Sequence, residues 1–363
     1  MRRSPERFQI DAYHRRLLHL HPQGRGIEQI THKAPHQRLM ARQQNRGFMA
    51  VIANILPDIF GRTVRNQGID RKDIAFIVQP ASGYLRGTAN GIRVDLPSGL
   101  VWSPAHFTWM DTNHPAGTPR QGYPIEIQAL WIRLLRQLER LKMPAQGDPW
   151  WAIADRAKSN LSERYWIADR NYFSDLLIAG SGEGLERCVV DNALRSNQLL
   201  AVSLRLVTGD RARSCVAAAI RYLVVPGALR TLAPLPVDPP LAIHSSTGAL
   251  LNNPTDPYWG TYQGDEDTRR KPAYHNGTAW TWTFPGFCEA LAMAWDFSPP
   301  ALTTARAYLG SMQSLLSGDC LGQIPEILDG DAPHQQRGCD AQAWGVTEAL
   351  RVWKLLQGHP PAP

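Results

Sequence analysis

The residues of this 363-residue chain whose types and spacing could do chemistry are carboxylates set among large apolar side chains. Asp111 ends the run Phe107-Thr108-Trp109-Met110-Asp111. Phe107, Trp109 and Met110 would exclude water from its carboxyl, and a desolvated carboxyl keeps its proton to higher pH. Glu326 stands in Ile324-Pro325-Glu326-Ile327-Leu328-Asp329-Gly330-Asp331, where Pro325 stiffens the backbone and the apolar flanks limit hydration. Two such groups suit cleavage of a glycosidic bond: one protonates the leaving oxygen, and the other activates water or attacks the sugar. Glu126, in Pro124-Ile125-Glu126-Ile127-Gln128, is a further candidate, although the helix dipole alone favours an acidic residue in a first turn. Asp329 and Asp331 bracket Gly330 and read as turn residues ahead of cation ligands.

Two runs supply flat rings beside hydrogen-bonding edges: Tyr258-Trp259-Gly260-Thr261-Tyr262-Gln263-Gly264-Asp265 and Ala273-Tyr274-His275-Asn276-Gly277-Thr278-Ala279-Trp280. A pyranose presents those two surfaces, apolar C–H faces and hydroxyls. Other chemistries find no motif. No Gly-x-Ser-x-Gly elbow, His-Glu-x-x-His pair or strand-borne Gly-x-Gly-x-x-Gly occurs. The glycine run Gly180-Ser181-Gly182-Glu183-Gly184 lacks the Lys-Ser/Thr of a phosphate loop. Cys188, Cys215, Cys288, Cys320 and Cys339 form no C-x-x-C pair, so no metal is expected, and their odd number argues for free thiols in a reducing cytoplasm. No cofactor is implied.

The elements that must position these groups are helical. Ile127, Leu130, Trp131, Leu134, Leu135, Leu138 and Leu141 recur at threes and fours after Pro124. Similar patterns predict helices near 149–168, 192–208, 211–223, 284–296, 299–317 and 340–357. Strand character is slight: 176–178 and 188–190 could form a hairpin across the glycine run. The loops 101–123, 233–286 and 318–340 are long and rich in Trp, Tyr, Asp, Gly and Pro. Long loops with that aromatic content suit a helical barrel whose loops gather at one end to make a pocket.

Charge divides the chain. Residues 1–75 carry 14 Lys+Arg against 6 Asp+Glu, whereas the remainder carries 25 against 26. All 12 Trp lie after residue 100. The basic segment reads as a nucleic-acid-binding arm, a solvated tail, or a stretch that is not the natural start of the domain; it lacks the basic–aromatic interleaving of single-strand binders, and the last reading is preferred. No nucleic-acid partner is expected. No run approaches the roughly 20 apolar residues of a membrane span, and the N-terminus has no apolar region of a secretory signal.

Several blocks in order resemble one family. They are Thr108-Trp109-Met110-Asp111, Thr118-Pro119-Arg120-x-Gly122, Glu126-Ile127-Gln128-Ala129-Leu130-Trp131, Arg195-Ser196-Asn197-Gln198, Tyr274-His275-Asn276-Gly277-Thr278-x-Trp280, Ile324-Pro325-Glu326-Ile327-x-Asp329-Gly330 and Ala341-Gln342-Ala343-Trp344. Together they are similar to the amylo-α-1,6-glucosidase domain of glycogen debranching enzymes. The resemblance implies an all-α chain forming an (α/α)6 helical barrel related to glucoamylases. It also implies inverting hydrolysis of α-1,6-linked glucose at branch points of glycogen or a related α-glucan, in the cytoplasm. On this match Asp111 takes the general-acid position and Glu326 the general-base position. Trp109, Arg120, Glu126, Arg195, Asn197, Gln198, Tyr262, His275, Asn276, Trp280, Gln342 and Trp344 would line the glucose pocket. The oligomeric state is left open.

The chain departs from the family at Ser196 and at Thr281 in Trp280-Thr281-Trp282, where the family has proline. The family's upstream Trp-Gly-Arg-Asp block has only a faint counterpart in Phe60-Gly61-Arg62-Thr63. The expected organisation is therefore an atypical basic segment over 1–84, a catalytic domain over 85–357 and a proline-rich tail over 358–363. The barrel would be incomplete at its N-terminal end. A second reading follows: an inactive or weakly glucan-binding remnant of a debranching enzyme.

Overall fold

The computed structural model describes residues 81–112, 117–145, 147–318 and 322–358. The expectations for the basic segment thus lie outside the described residues, apart from 81–84, as do those for the tail beyond Gly358.

Helix α1 (Ile125–Arg140) starts after Pro124, which has no N–H to leave unsatisfied, and carries Glu126 in its first turn and Arg140 in its last. Its buried stripe includes Ile125, Ala129, Leu130, Trp131, Leu134, Leu135 and Leu138. That stripe packs on α2 (Trp150–Arg164), which buries Trp150, Ile153, Ala154, Ala157 and Leu161. Gly99 is required where the preceding turn crosses α2: its φ is +74°, and a Cβ there would lie 2.7 Å from the Ile153 carbonyl oxygen. Helices α3 (Leu199–Ser203) and α4 (Gly209–Tyr222) pack on α6 (Thr283–Ala294), as do α7 (Pro299–Gly310) and α8 (Ala343–Gln357). The short α5 (Lys271–Tyr274) precedes α6 in the chain. Nearly all of α6 is buried, and its small residues Ala290, Ala292 and Ala294 let neighbours approach. Each fully buried Leu or Phe in this core contributes about 1.5–3 kcal/mol.

Two predicted helices are shorter than their patterns. The helix expected over 192–208 is reduced to a 3-10 turn, Ser196–Gln198, running into α3, because Arg195 is extended and its neighbours bond into the site. The helix expected over 299–317 tightens after Gly310 into a 3-10 turn. There Ser311, Ser314 and Ser317 hydroxyls each donate to the carbonyl three residues back.

The expectation of an all-α chain is corrected by twelve short strands in four small sheets among the described residues. Each strand is two or three residues long, too short to leave a period-two pattern in sequence. The expected hairpin forms with its second strand shifted by one residue: Leu176–Ile178 pairs with Val189–Asp191, and Gly122–Pro124 lies on its other side. The glycine run is its connection. The largest sheet runs Gln336–Arg337, Ile327–Leu328, Ala279–Trp280, Ala228–Arg230, Val224–Val225, antiparallel throughout. Trp280 stands opposite Ile327, which brings the aromatic run beside Glu326. Among the described residues no helix is long and apolar enough to cross a membrane.

Candidate active site

Three loops cross in direct backbone contact to build the site. Trp259 N–H donates to the Asn276 carbonyl at 2.7 Å, and Gly330 N–H donates to the Gly260 carbonyl at 2.6 Å. Glycine is required at the crossings: a Cβ on Gly277 would lie 2.3 Å from the Trp259 backbone, and one on Gly330 2.1 Å from the Gly277 oxygen. Side chains lock the same crossing. Asp329 accepts from Tyr262 N–H at 2.7 Å and from Arg337 Nε at 3.1 Å, and Asp331 accepts from the Tyr258 hydroxyl at 2.8 Å. Both aspartates are thus loop clamps. Among the described residues no group of three or more His, Cys, Asp or Glu could hold a metal ion.

Glu326 sits half-buried at the end of this crossing with three donors on its carboxylate. Tyr274 Oη donates to Oε1 at 2.5 Å, Gln342 Nε2 donates to Oε1 at 2.8 Å, and Cys339 N–H donates to Oε2 at 2.9 Å. Three donors on two oxygens fix the direction in which the carboxylate points. Burial and the Glu326 charge push the Tyr274 phenol well above its ordinary value, so it stays a donor. Asp111 is exposed to solvent. Its surroundings nevertheless exclude enough water to push its carboxyl up to about 6, and the Glu326 charge adds to the rise against an opposing backbone hydrogen bond. The two carboxyls therefore lie within electrostatic reach of each other, with Tyr274 sensing both.

A set of rings surrounds them. Trp109, Met110, Trp280 and Ile327 form a small buried cluster, with Tyr262, Tyr274, Trp282 and Trp344 packed against it. Trp109 stands edge-on to His275, Trp280 and Trp282 at 5.4, 5.2 and 4.9 Å between centroids. Trp282 stacks on Trp344 at 5.0 Å, and Tyr262 lies 5.4 Å from Tyr274. His275 is fully buried. Burial and the Arg195 and Arg120 charges hold its imidazole well below its ordinary value, so it is neutral. Its Nδ1 lies 2.7 Å from Thr112 Oγ1, and its Nε2 has no partner among the described residues.

Beneath the rings lies a buried polar network. Arg120 grips Glu126 with both terminal nitrogens, at 2.5 and 2.6 Å, and Asp175 through Nε at 2.7 Å. Burial would lower the Arg120 pKa, but Asp175 and Glu126 more than offset this, and it stays charged. Burial raises the Glu126 carboxyl against the pull of Arg120. Arg195 donates to the Thr231 and His275 carbonyls and, at 3.0 Å, to Asn276 Oδ1. Gln198 Oε1 accepts from Phe173 N–H at 3.0 Å. Arg120, Glu126, Arg195, Asn197, Gln198 and Asn276 thus direct their hydrogen bonds to one another, to Asp175, Thr108, Trp109, Met110 and Thr118, and to backbone. Trp109, Tyr262, His275, Trp280, Gln342 and Trp344 belong to the aromatic layer above. Sequence reasoning missed Asp175, Tyr274 and Trp282 as site residues. Tyr274 opens a block already singled out and Trp282 lies two residues beyond its end, but Asp175 has no signal beyond being one acid before an apolar strand.

The sequence profile described as amylo-alpha-1,6-glucosidase matches residues 39–239 and 248–351. The match begins inside the segment set apart above as 1–84. No curated protein matches the chain. Among solved structures, the GH63 mannosylglycerate hydrolase of Thermus thermophilus, in complex with glucose, is 17% identical with a TM-score of 0.40, over 64% of this chain and 48% of that one. The neutral trehalase of Saccharomyces cerevisiae is 12% identical with a TM-score of 0.39, over 66% of this chain and 40% of that one. The chain spans less than half the length of these two structures. With the profile matched over most of its length, the chain belongs to the amylo-alpha-1,6-glucosidase family of glycoside hydrolases.

Proposed function

We propose that this chain carries the catalytic apparatus of an inverting α-1,6-glucosidase that removes single α-1,6-linked glucose units from branch points of glycogen or a related α-glucan, on an (α/α)6 scaffold. The observation that carries the reading is the contrast between its two carboxyls. Asp111 lies in a desolvating setting that keeps it protonated to about pH 6, whereas Glu326 is held by three donors. Two carboxyls with opposed environments divide the roles of acid and base. Asp111 donates its proton to the glycosidic oxygen as the bond to the anomeric carbon breaks. Glu326 takes a proton from water as that water attacks the opposite face of the sugar. The part-exposed rings of Tyr262 and Trp344 cover apolar sugar faces and Gln342 offers a polar edge, with Trp109, Trp280 and His275 packed behind them. Arg120, Glu126, Arg195, Asn197, Gln198 and Asn276 hold these rings from below.

Glucose release from a 6-α-glucosyl dextrin tests this. Asp111→Asn and Glu326→Gln should each lower kcat by at least about a hundredfold while substrate binding survives better. Near-normal turnover in either variant removes that residue from its role. NMR of the first product should show β-glucose, and initial α-glucose contradicts inversion.

A further inference from the structure

We propose that Asp175 is a positioning residue for the general acid: through Arg120 and Asn197, one buried carboxylate grips the three residues that precede Asp111. The inference rests on the reading of Asp111 as the acid.

Asp175 is buried at the start of the strand Leu176–Ile178, and its carbonyl accepts from Ile125 N–H at 3.0 Å, which ties its backbone to the first residue of α1. Its Oδ2 accepts from Arg120 Nε at 2.7 Å and lies 3.6 Å from Arg195 Nε. Its Oδ1 accepts from Arg120 Nη2 at 3.2 Å and from Asn197 Nδ2 at 2.7 Å. Both hydrogen-bonded partners then reach the same short run. Arg120 Nη1 donates to Thr108 Oγ1 at 2.9 Å, and that oxygen accepts from Met110 N–H at 3.1 Å. Asn197 Oδ1 accepts from Trp109 Nε1 at 2.8 Å, while its amide nitrogen also faces Met110 Sδ at 3.6 Å.

The charge on Asp175 matters for direction. An amide side chain has one donor end and one acceptor end, and a carboxylate can only accept. Asp175 therefore claims the donor end of Asn197 and leaves its oxygen facing the indole N–H of Trp109. A neutral amide at 175 would accept either orientation of Asn197 and would turn N–H groups toward the Arg120 guanidinium. Trp109 in turn packs edge-on to three rings, so a rotated indole would disturb His275, Trp280 and Trp282 together. The titratable and charged groups around this relay are Arg120, Arg195, Glu126 and Asp191 near Asp175, His275 against Trp109 and Thr112, and Glu326 and Tyr274 near Asp111.

The test uses the full chain labelled with 13C at aspartate carboxyls, with the Asp111 signal assigned by its loss in Asp111→Asn. Asn197→Ala breaks the link to Trp109 without changing the buried charges, and Asp175→Asn removes its source. Each should move the Asp111 titration midpoint by about half a pH unit or more. Each should lower kcat on a 6-α-glucosyl dextrin at least about tenfold, with KM within about threefold, because a small misplacement of a reacting group lowers rate more than binding. If Asp175→Asn does not fold, Asn197→Ala decides alone. An unmoved Asp111 titration in Asn197→Ala overturns the inference whatever its turnover. Normal turnover in Asp111→Asn instead overturns the acid assignment, while the titration still reports whether the relay holds Asp111.

Discussion

Replacing Arg120 by methionine removes the cation between two buried carboxylates, and its effect should depend on pH in a defined direction. Both Glu126 oxygens have Arg120 as their side-chain donor, whereas Asp175 keeps Asn197 at 2.7 Å and Arg195 at 3.6 Å. Glu126 is therefore the group left stranded. Breaking a buried pair by removing one partner costs about 3–5 kcal/mol when the remaining charge has no other partner. At about 2–4 °C per kcal/mol for a domain of this order of size, Tm should fall by roughly 6–20 °C at about pH 8. Burial already raises the Glu126 carboxyl against Arg120, and without that cation it rises further. A carboxyl whose folded pKa exceeds its unfolded one contributes stability below the unfolded value and loses it as pH rises through the folded value. Protonated Glu126 is also the cheaper form to bury, so the deficit should shrink by about pH 5. Differential scanning calorimetry of wild type and Arg120→Met at the two pH values reads this directly. A drop below about 2 °C at both, or a larger drop at the acidic one, would refute the reasoning.

Three further outcomes are expected. kcat/KM should fall as pH rises above about 6, because Asp111 must be protonated to act as acid and its carboxyl is pushed up to about 6; a pH–rate profile flat to about pH 8 contradicts this. Tyr274→Phe takes one of three donors from Glu326 and should lower kcat about tenfold with KM within about threefold; an unchanged kcat shows that the phenol does not orient the base. Asp191→Asn should raise Tm by a few degrees at about pH 8 and leave it unchanged at about pH 4. Burial, then the Asp175 charge, push the Asp191 carboxyl up to about 6, so it opposes folding only once ionised; equal Tm values at pH 8 would refute this.

The helices and the aromatic blocks were legible because they are local. The stripe of α1 repeats over four turns, and Trp109 beside Asp111 needs no knowledge of the fold to suggest a desolvated acid. The relation between Asp111 and Glu326 is different. No spacing couples them, and only the resemblance to a family paired them before the loops could be seen to cross. Asp175 escaped for a physical reason: its neighbours Leu176–Ile178 read as an ordinary apolar strand, and its importance comes from Arg120 and Asn197, which approach from separate elements. The two-residue strands escaped because two residues have no period. Glu126 shows the opposite case, for it occupies a helix first turn, as the dipole favours, and also closes the ion network.

The crossing of the three loops has a consequence for how the chain acquires its site. Residues 258–264 and 274–280 meet residues 326–334 only after α6, α7 and the 3-10 turn have been placed between them. Closing a segment of that length must precede any gain from the Gly277 and Gly330 contacts, so the crossing belongs to the late, non-local part of folding. During synthesis, Glu326 cannot receive Gln342 until the start of α8 is emerging. On the proposed reading, sugar binding would therefore report on completion: a chain able to stack a sugar on these rings would already have assembled the helices behind them.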